Sequence, residues 1–219
     1  MNIAIDGPAG AGKSTIAKLL AAKLGILYLD TGAMYRAIGL KALNTGVDIS
    51  DAVAVEKMLA DTKINVGQEN GVQHVYLDGN DVSTAIRENS VSKAASDISA
   101  VPCVRYKMVE LQRDIASKCD TVLDGRDIGT FVLPNAEHKI FLTASAEERA
   151  KRRYAELKAK GSDLTLEQIK DDIEKRDYND SHRVLAPLKK ADDATEIDTT
   201  SMTIDEVVEE ICAVIGVRK

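Results

Sequence analysis

An octapeptide near the start of the chain matches the pattern G-x-x-x-x-G-K-[ST] at every fixed position. It reads Gly7-Pro8-Ala9-Gly10-Ala11-Gly12-Lys13-Ser14. Residues 2–5 before it are short and mainly apolar, which predicts a buried strand, and residues 14–24 after it have helical spacing. A strand, a glycine-rich loop and a helix in this order form a phosphate-binding motif of parallel α/β proteins, so this feature constrains the fold of the whole chain.

The residue types of this loop each have a chemical reason. Glycines let backbone N–H groups point inward at phosphate oxygens, and the following helix adds the positive end of its dipole. We expect Lys13 to reach the β- and γ-phosphates of ATP and Ser14 to bind Mg²⁺ through its hydroxyl, with phosphates and water completing the coordination. The glycine spacing differs from the dinucleotide-binding G-x-G-x-x-G. The predicted ATP-binding residues are Gly7, Pro8, Ala9, Gly10, Ala11, Gly12, Lys13, Ser14 and Thr15.

Beyond the loop, the chain alternates between predicted strands and helices. Further short apolar strands are predicted at residues 26–29, 121–123, 139–142 and 196–198, with helices between them. The rhythm changes at about residues 63–84, where polar and apolar residues alternate around Asn70-Gly71 and Asp78-Gly79, which predicts an antiparallel insertion. We predict an α/β fold: a P-loop NTPase core with a central parallel sheet flanked by helices, a small antiparallel β insertion and a short lid. Residues 1–219 are expected to form one such unit.

Bulk properties exclude several classes of function. A formal net charge of −6 argues against a sequence-independent nucleic-acid binder, which needs an excess of Lys and Arg on one face. The three cysteines and three histidines are scattered without the spacing of metal ligands. No apolar stretch approaches the roughly 18 residues of a membrane span, and no signal peptide is evident. We therefore expect a cytoplasmic protein that binds neither nucleic acid nor membrane. No interaction surface stands out in the sequence, so we expect a monomer.

A phosphate loop alone is shared by kinases, switches and motors. A regulatory GTPase would carry Asn-Lys-x-Asp, but no Asn in this chain is followed by Lys. It would also carry Asp-x-x-Gly, and no Asp has Gly three residues later. A kinase instead needs a second set of cations for the phosphate of its acceptor. The absence of both switch motifs favours a kinase.

Clustered arginines are candidates for that second set of cations. They are Arg149, Arg152 and Arg153 at helical spacing, Arg176 and Arg183 seven residues apart with Asp180 between them, and Arg126 after the strand that ends at Leu123. Guanidinium groups suit this role because their planar fork binds phosphate oxygens in pairs. The alternative is ordinary exposed salt bridges, Glu156 with Arg152 or Arg153 and Asp180 with Arg176.

Four segments together carry a resemblance to a known family. They are the loop through Thr15, Asp30-Thr31-Gly32-Ala33-Met34-Tyr35-Arg36, Leu123-Asp124-Gly125-Arg126-Asp127-Ile128-Gly129-Thr130, and the stretch from Arg176-Asp177 to Arg183-Val184-Leu185-Ala186-Pro187-Leu188. With them the chain resembles the bacterial cytidylate kinases essentially from end to end. The resemblance implies phosphoryl transfer from ATP, with Mg²⁺, to CMP or dCMP in pyrimidine nucleotide metabolism. It also implies an acceptor-binding region at about 33–100 and a lid at about 149–164.

The resemblance also implies roles for individual residues. The CMP-binding residues would be Thr31, Arg36, Ser96, Arg105, Asp127, Arg176, Asp180 and Arg183. A carboxylate facing the N4 amino group accepts a hydrogen bond from cytosine and repels uracil, and Asp127 is our candidate for it. The catalytic residues would be Lys13, Arg126, Arg153 and Arg183, with the arginines at 149, 152 and 153 acting only in a closed lid.

No general base is required for this reaction, because the second pKa of a phosphate monoester lies near 6 and the attacking oxygen is already ionised at neutral pH. Other acceptors, such as UMP or shikimate, stay open within the kinase class. A nucleotide-binding switch without an acceptor stays open outside it.

Overall fold

The computed structural model describes residues 1–69, 71–159 and 161–217. Within it the chain divides into two compact units, one made of Met1–Leu27 with Asp120–Lys219 and the other of Tyr28–Cys119. The predicted turn at Asn70-Gly71 involves Asn70, which lies outside the described residues. Each unit is taken by itself below.

A five-stranded parallel sheet is the centre of the fold. Its strands are β1 (Asn2–Asp6), β2 (Leu27–Asp30), β6 (Thr121–Asp124), β7 (His138–Thr143) and β8 (Thr195–Asp198), in the order β2-β6-β1-β7-β8. In the middle strand, Ile3, Ala4 and Ile5 are completely buried. Strands covered on both faces read as continuous apolar runs, which is why β1 was recognisable in the sequence. The predicted fold class is confirmed.

Four helices belong to the first unit: α1 (Lys13–Leu24), α6 (Ala146–Ala159), α7 (Leu166–His182) and α8 (Ile204–Val214). Helices α7 and α8 each begin with a capping box, in which Thr165 pairs with Gln168 and Thr203 with Glu206. A π-helical turn at Ile128–Val132 follows β6. Helices α6 and α7 are neighbours that share a small apolar core of their own.

The second unit contains four helices and the antiparallel insertion. The helices are α2 (Thr31–Thr45), α3 (Ala52–Ala60), α4 (Asn89–Ile98) and α5 (Pro102–Lys118), and the insertion consists of β3 (Ile64–Glu69), β4 (Val72–Leu77) and β5 (Asn80–Asp81). The strands pair antiparallel in chain order, with Ile64 opposite Leu77 at the end of the hairpin. A single turn of 3₁₀ helix, Ala85–Arg87, precedes α4. The predicted insertion is confirmed.

Sequence patterns did not predict helix α3. It is nine residues long, and Asp51 caps it by accepting hydrogen bonds from the backbone N–H groups of Val53 and Ala54. Few apolar residues of so short a helix face the core, so periodicity is a weak signal there. Among the described residues, no helix combines the length and the apolar character needed to cross a membrane.

Close packing of α2 against α4 depends on a glycine. A Cβ atom placed on Gly39 would lie 2.8 Å from the backbone nitrogen of Ala95 and 3.1 Å from its Cα atom. Backbone atoms cannot move aside as a flexible side chain can, so any side chain here pushes the two helices apart.

We therefore expect Gly39→Ala to lower the free energy of unfolding by about 1–3 kcal/mol, the usual cost of overpacking. Urea denaturation measures the change. Asn44→Ala, at the exposed end of the same helix, is the control and should change it by less than about 0.5 kcal/mol. Equal effects of the two substitutions would contradict the importance of this contact.

Candidate active site

The glycine-rich loop connects β1 to α1, as the motif predicts. Its glycines have positive φ angles of 148° at Gly7, 77° at Gly10 and 85° at Gly12. A Cβ on Gly7 would lie 2.0 Å from the carbonyl oxygen of Leu142 in β7, so no other residue fits there. The loop is thus held against the neighbouring strand at the carboxyl end of the sheet, where ligands of open α/β sheets bind.

Lys13 is the first residue of α1 and is 5% exposed. Its Nζ donates a hydrogen bond to the carbonyl oxygen of Pro8 at 2.6 Å. Burial, followed by repulsion from Arg126, lowers the pKa of this ammonium well below its usual value. A polyphosphate would stabilise the charged form, because it supplies anionic oxygens to a cation that burial disfavours.

Ser14 donates a hydrogen bond from its hydroxyl to Oδ2 of Asp124 at 2.6 Å. Asp124 is the last residue of β6 and lies opposite Ile5 of β1 in the parallel register. A hydroxyl and a carboxylate are hard oxygen donors, the ligand types that suit Mg²⁺ in phosphate-loop proteins. No group of three His, Cys, Asp or Glu side chains with the geometry of a metal site occurs in the described residues. The hydroxyl of Ser14 and the carboxylate of Asp124 fit a cation that takes its other ligands from phosphates and water.

Asp124 was not among the predicted metal ligands. The signal in the sequence was an apolar strand, Thr121–Leu123, that ends in a carboxylate within a chain that carries a phosphate loop. This carboxylate can be recognised as a candidate metal ligand only when β6 is known to be the neighbour of β1.

Two buried carboxylates and three arginines form a second cluster in the same unit. Arg126 Nε donates to Asp180 Oδ2 at 2.9 Å, and Arg183 Nη2 donates to Asp127 Oδ1 at 3.3 Å. Burial by itself raises the pKa of Asp180, but the nearby guanidinium groups of Arg126, Arg176 and Arg183 outweigh it, so the pKa lies below its usual value. The structure thus brings together five of the predicted substrate and catalytic residues, with the carboxylate of Asp180 ionised.

Asp6, at the end of β1, positions the turn that follows Asp127. Its carboxylate accepts hydrogen bonds from the backbone N–H groups of Ile128 at 2.8 Å and Gly129 at 2.7 Å. Burial raises its pKa to about 6, while those two N–H groups act in the opposite direction. Sequence reasoning did not assign Asp6 a role, although a carboxylate directly before the loop was visible.

In the second unit, the predicted acceptor residues Thr31 and Arg36 lie on the first turns of α2. Asp30 caps this helix by accepting from the Ala33 N–H at 2.9 Å, and its other oxygen accepts from Arg36 Nη2 at 2.8 Å. The side-chain amide of Gln73, on β4, in turn bonds to both backbone groups of Asp30, at 2.7 Å to the N–H and 3.3 Å to the carbonyl. The insertion is thereby attached to the segment that presents Arg36.

The other two predicted residues of this unit, Ser96 and Arg105, are connected through Ser99. Arg105 is 1% exposed, and its Nη1 donates to the carbonyl oxygen of Ser99 at 3.2 Å. The Ser99 hydroxyl donates to the carbonyl oxygen of Ser96 at 2.8 Å. The Arg105 guanidinium also lies 5.5 Å from the centre of the Tyr35 ring, a cation–π contact.

The three arginines of α6 have three different environments. Arg149 is buried and binds the phosphate loop. Arg152 donates to the carbonyl oxygen of Thr199 at 2.6 Å and to Glu148 at 3.2 Å. Arg153 is partly exposed and pairs with Glu156 at 2.8 Å, as the salt-bridge alternative predicts. A joint role of the three in a closed lid stays a prediction.

A family model decides where this chain belongs: that of the cytidylate kinases matches residues 3–216. The chain is a member of the cytidylate kinase family. Two relatives named cytidylate kinase are those of Caldicellulosiruptor saccharolyticus, 55% identical over 211 residues, and Bacillus licheniformis, 52% identical over 214 residues. The alignments cover 96% and 97% of this chain, and 93% and 95% of the relatives.

Solved structures of more distant proteins support the fold. A gluconokinase from Sinorhizobium meliloti superimposes with a TM-score of 0.51 at 12% identity, covering 98% of this chain and 91% of that one. An uncharacterized protein from Eubacterium ventriosum gives 0.54 at 14% identity, covering 100% and 99%. At such low identities the likeness shows only that these proteins share the fold of this cytidylate kinase family member.

The raised pKa of Asp6 predicts a pH dependence of stability. Between about pH 4 and pH 6 the native protein holds the Asp6 proton more tightly than the unfolded chain, whose aspartates have the ordinary value of 3.8. Stability from this group is therefore present at low pH and lost as pH rises through about 6. The unfolding free energy of the wild type minus that of Asp6→Asn should fall by about 2 kcal/mol between pH 4 and pH 7, because the unfolded-state carboxyl is already partly ionised at pH 4.

Urea denaturation at a series of pH values measures this difference, in which the other titrating groups cancel. Parallel pH profiles of the two proteins would show that Asp6 titrates as an ordinary carboxylate.

Proposed function

We propose that the chain transfers the γ-phosphoryl group of ATP to CMP or dCMP, giving ADP and CDP or dCDP. The observation that carries the proposal is the match to the cytidylate kinase family over residues 3–216. The phosphate loop and the buried cluster of arginines and aspartates agree with it, because a kinase needs cations for a donor and for an acceptor phosphate.

On the donor side, residues Gly7–Thr15 bind the phosphates of ATP, and Lys13 neutralises the β- and γ-phosphates. Ser14 and Asp124 would hold Mg²⁺, which withdraws charge from the phosphate oxygens when bound. Asp124 accepts the hydroxyl hydrogen of Ser14 and so orients the serine oxygen. This support of one ligand by another is the usual design of a cation site.

On the acceptor side, Asp127 reads the cytosine amino group. It is 5% exposed, so a base that offers an acceptor in place of N4–H₂ would face a desolvated carboxylate without a hydrogen bond. Arg183 holds one oxygen of this carboxylate and leaves its orientation defined. Ser96 and Arg105 would complete the contacts to the base, and Arg176 with Asp180 would bind the sugar.

Arginine charge replaces general-base chemistry in this proposal. Arg36 would bind the CMP phosphate, while Arg126 and Arg183 stabilise the negative charge of the transferring group. Asp180, ionised between these two arginines, fixes their guanidinium groups before substrate arrives. Arg153 would leave Glu156 and join them when the lid closes and excludes water. We place the enzyme in the cytoplasm, as a monomer without nucleic-acid or membrane partners.

Release of ADP from Mg·ATP, with CMP, dCMP, UMP, AMP, GMP and shikimate offered one at a time, tests the function. We expect rapid release with CMP and dCMP and slow release with the other four. Lys13→Ala should abolish activity with every acceptor, since no other group of the loop carries its charge. Release that depends on no acceptor would overturn the kinase, and a preference for UMP would overturn the role of Asp127.

Gln73 tests how the insertion serves the acceptor side. Gln73→Ala removes both bonds to Asp30 and loosens the segment that presents Arg36. We expect the KM for CMP to rise on the order of tenfold, with the KM for ATP unchanged. Gln68→Ala, on the exposed part of β3, is the matched control and should change neither constant. A parallel rise of both constants would point to general destabilisation instead.

A further inference from the structure

We propose that Arg149 and Asp177 form a positioning pair that holds the phosphate loop in its binding conformation and connects it to the α6–α7 hairpin. Neither residue is assigned to substrate in the function proposed above, on which this inference rests. The pair would act through the backbone of Ala9, and its removal would affect the nucleotide donor rather than the acceptor.

Both backbone polar groups of Ala9 are bound by this pair. The Ala9 N–H donates to Asp177 Oδ1 at 2.9 Å, and the Ala9 carbonyl oxygen accepts from Arg149 Nη1 at 2.9 Å. Arg149 Nη1 also donates to Asp177 Oδ2. The two side chains and one residue of the loop therefore close a ring of hydrogen bonds, which fixes the peptide planes on either side of Ala9.

The ring is mostly shielded from water, with only the Asp177 side chain partly exposed, at 17%, so its bonds are costly to break. Arg149 is 8% exposed and Ala9 is 7% exposed. Arg149 Nε donates in addition to the carbonyl oxygen of Ala144 at 2.9 Å, which anchors the guanidinium to the residue that directly follows β7. A buried charge that loses its partner destabilises its surroundings much more than an exposed one.

The next residue of the loop is packed directly on the same arginine. A Cβ on Gly10 would lie 3.1 Å from Arg149 Cβ and 3.2 Å from the Arg149 carbonyl oxygen. Helix α6 thus supports the loop by close contact at Gly10 and by the hydrogen bond from Arg149 to the Ala9 carbonyl oxygen. The support reaches the part of the loop that precedes Lys13 by three and four residues.

The position of the pair within the hairpin suggests why two helices contribute to it. Arg149 lies in the first turn of α6 and Asp177 in the last third of α7, so the pair is at the open end of the hairpin, away from the connection between the helices. Within the hairpin, Ala150 and Leu157 of α6 pack against Ile169 and Ile173 of α7. The pair therefore connects both helices of the hairpin to the loop.

In this assignment Arg149 positions the phosphate loop. A lid arginine would instead contact the phosphoryl group that is transferred. The Nε and Nη1 of Arg149 already donate to protein oxygens of the core. Arg153, four residues later, is bound only weakly to the fold by an exposed pair. Arg149 would thus position the phosphate loop, and Arg153, one helical turn later, would bind substrate.

Three substitutions test the pair. Asp177→Ala removes the acceptor for the Ala9 N–H and the partner of Arg149, Asp177→Asn keeps an acceptor oxygen but removes the charge, and Arg149→Lys keeps the charge but loses the fork. Glu147→Gln is the control, since it breaks an exposed ion pair with Lys151 on the same helix. Calorimetric titration with ADP, steady-state KM values for ATP and CMP, and amide exchange of the loop are the measurements.

We expect Asp177→Ala and Arg149→Lys to weaken ADP binding and raise the KM for ATP on the order of tenfold, while the KM for CMP stays within about twofold. Asp177→Asn should recover part of the loss, amide exchange of the loop should be faster in all three variants, and Glu147→Gln should match the wild type. Asp177→Asn and Arg149→Lys keep a polar side chain. The proposal would be overturned if these two variants bound ADP as tightly as the wild type, or if their KM values for ATP and CMP rose equally.

The ADP titration needs no acceptor, so it separates this inference from the proposed function. If the wild type failed to phosphorylate CMP while the variants still lost ADP affinity, the positioning pair would stand and the acceptor assignment would fall. If the wild type phosphorylated CMP and the variants bound ADP normally, the proposed function would stand and the positioning pair would fall.

Discussion

Burial of charge beside the sheet is the constraint on which the rest of this structure depends. The first unit buries ionisable side chains that a globular core would normally exclude: Asp6, Lys13, Asp124, Asp127, Arg149 and Asp180. Each is tolerated because a specific partner compensates for the lost hydration. Backbone N–H groups serve Asp6, a serine hydroxyl serves Asp124, and guanidinium groups serve Asp127 and Asp180. Such compensation needs precise geometry, and it leaves the site preorganised for anionic ligands.

Parallel strands supply that geometry. Asp6 and Asp124 end neighbouring strands β1 and β6, and the glycine loop leaves β1 directly after Asp6. Since the carboxyl ends of parallel strands share one edge of a sheet, residues more than a hundred positions apart in the chain become neighbours there. Asp6 acts on the site indirectly. The backbone N–H groups that it binds belong to the two residues directly after Asp127, our candidate for the recognition of cytosine. One buried carboxylate thus positions another.

Sequence reasoning recovered a large part of the fold and a smaller part of the site. The buried strands, the long helices and the antiparallel insertion were readable because their periodicity is strong, whereas the nine-residue α3 was missed. Lys13, Ser14 and Arg126 were recognisable from local motifs, and the arginines of α6 from their spacing. What each of those arginines does was not readable, since spacing places Arg149, Arg152 and Arg153 on one face but says nothing of the loop, strand end or solvent that each meets.

The sequence by itself determined the phosphate-loop motif and its strand–loop–helix setting, and it favoured a kinase, because the glycine loop and the absence of switch motifs are local properties of the chain. Only the tertiary structure decided which charged side chains contact the loop and which pair elsewhere. Asp177 illustrates the difference: nothing near it in the sequence indicates that its carboxylate accepts a hydrogen bond from Ala9, 168 positions away. Partnerships of this kind arise from which elements pack together, and the energy of a buried charge depends on the partner that packing provides.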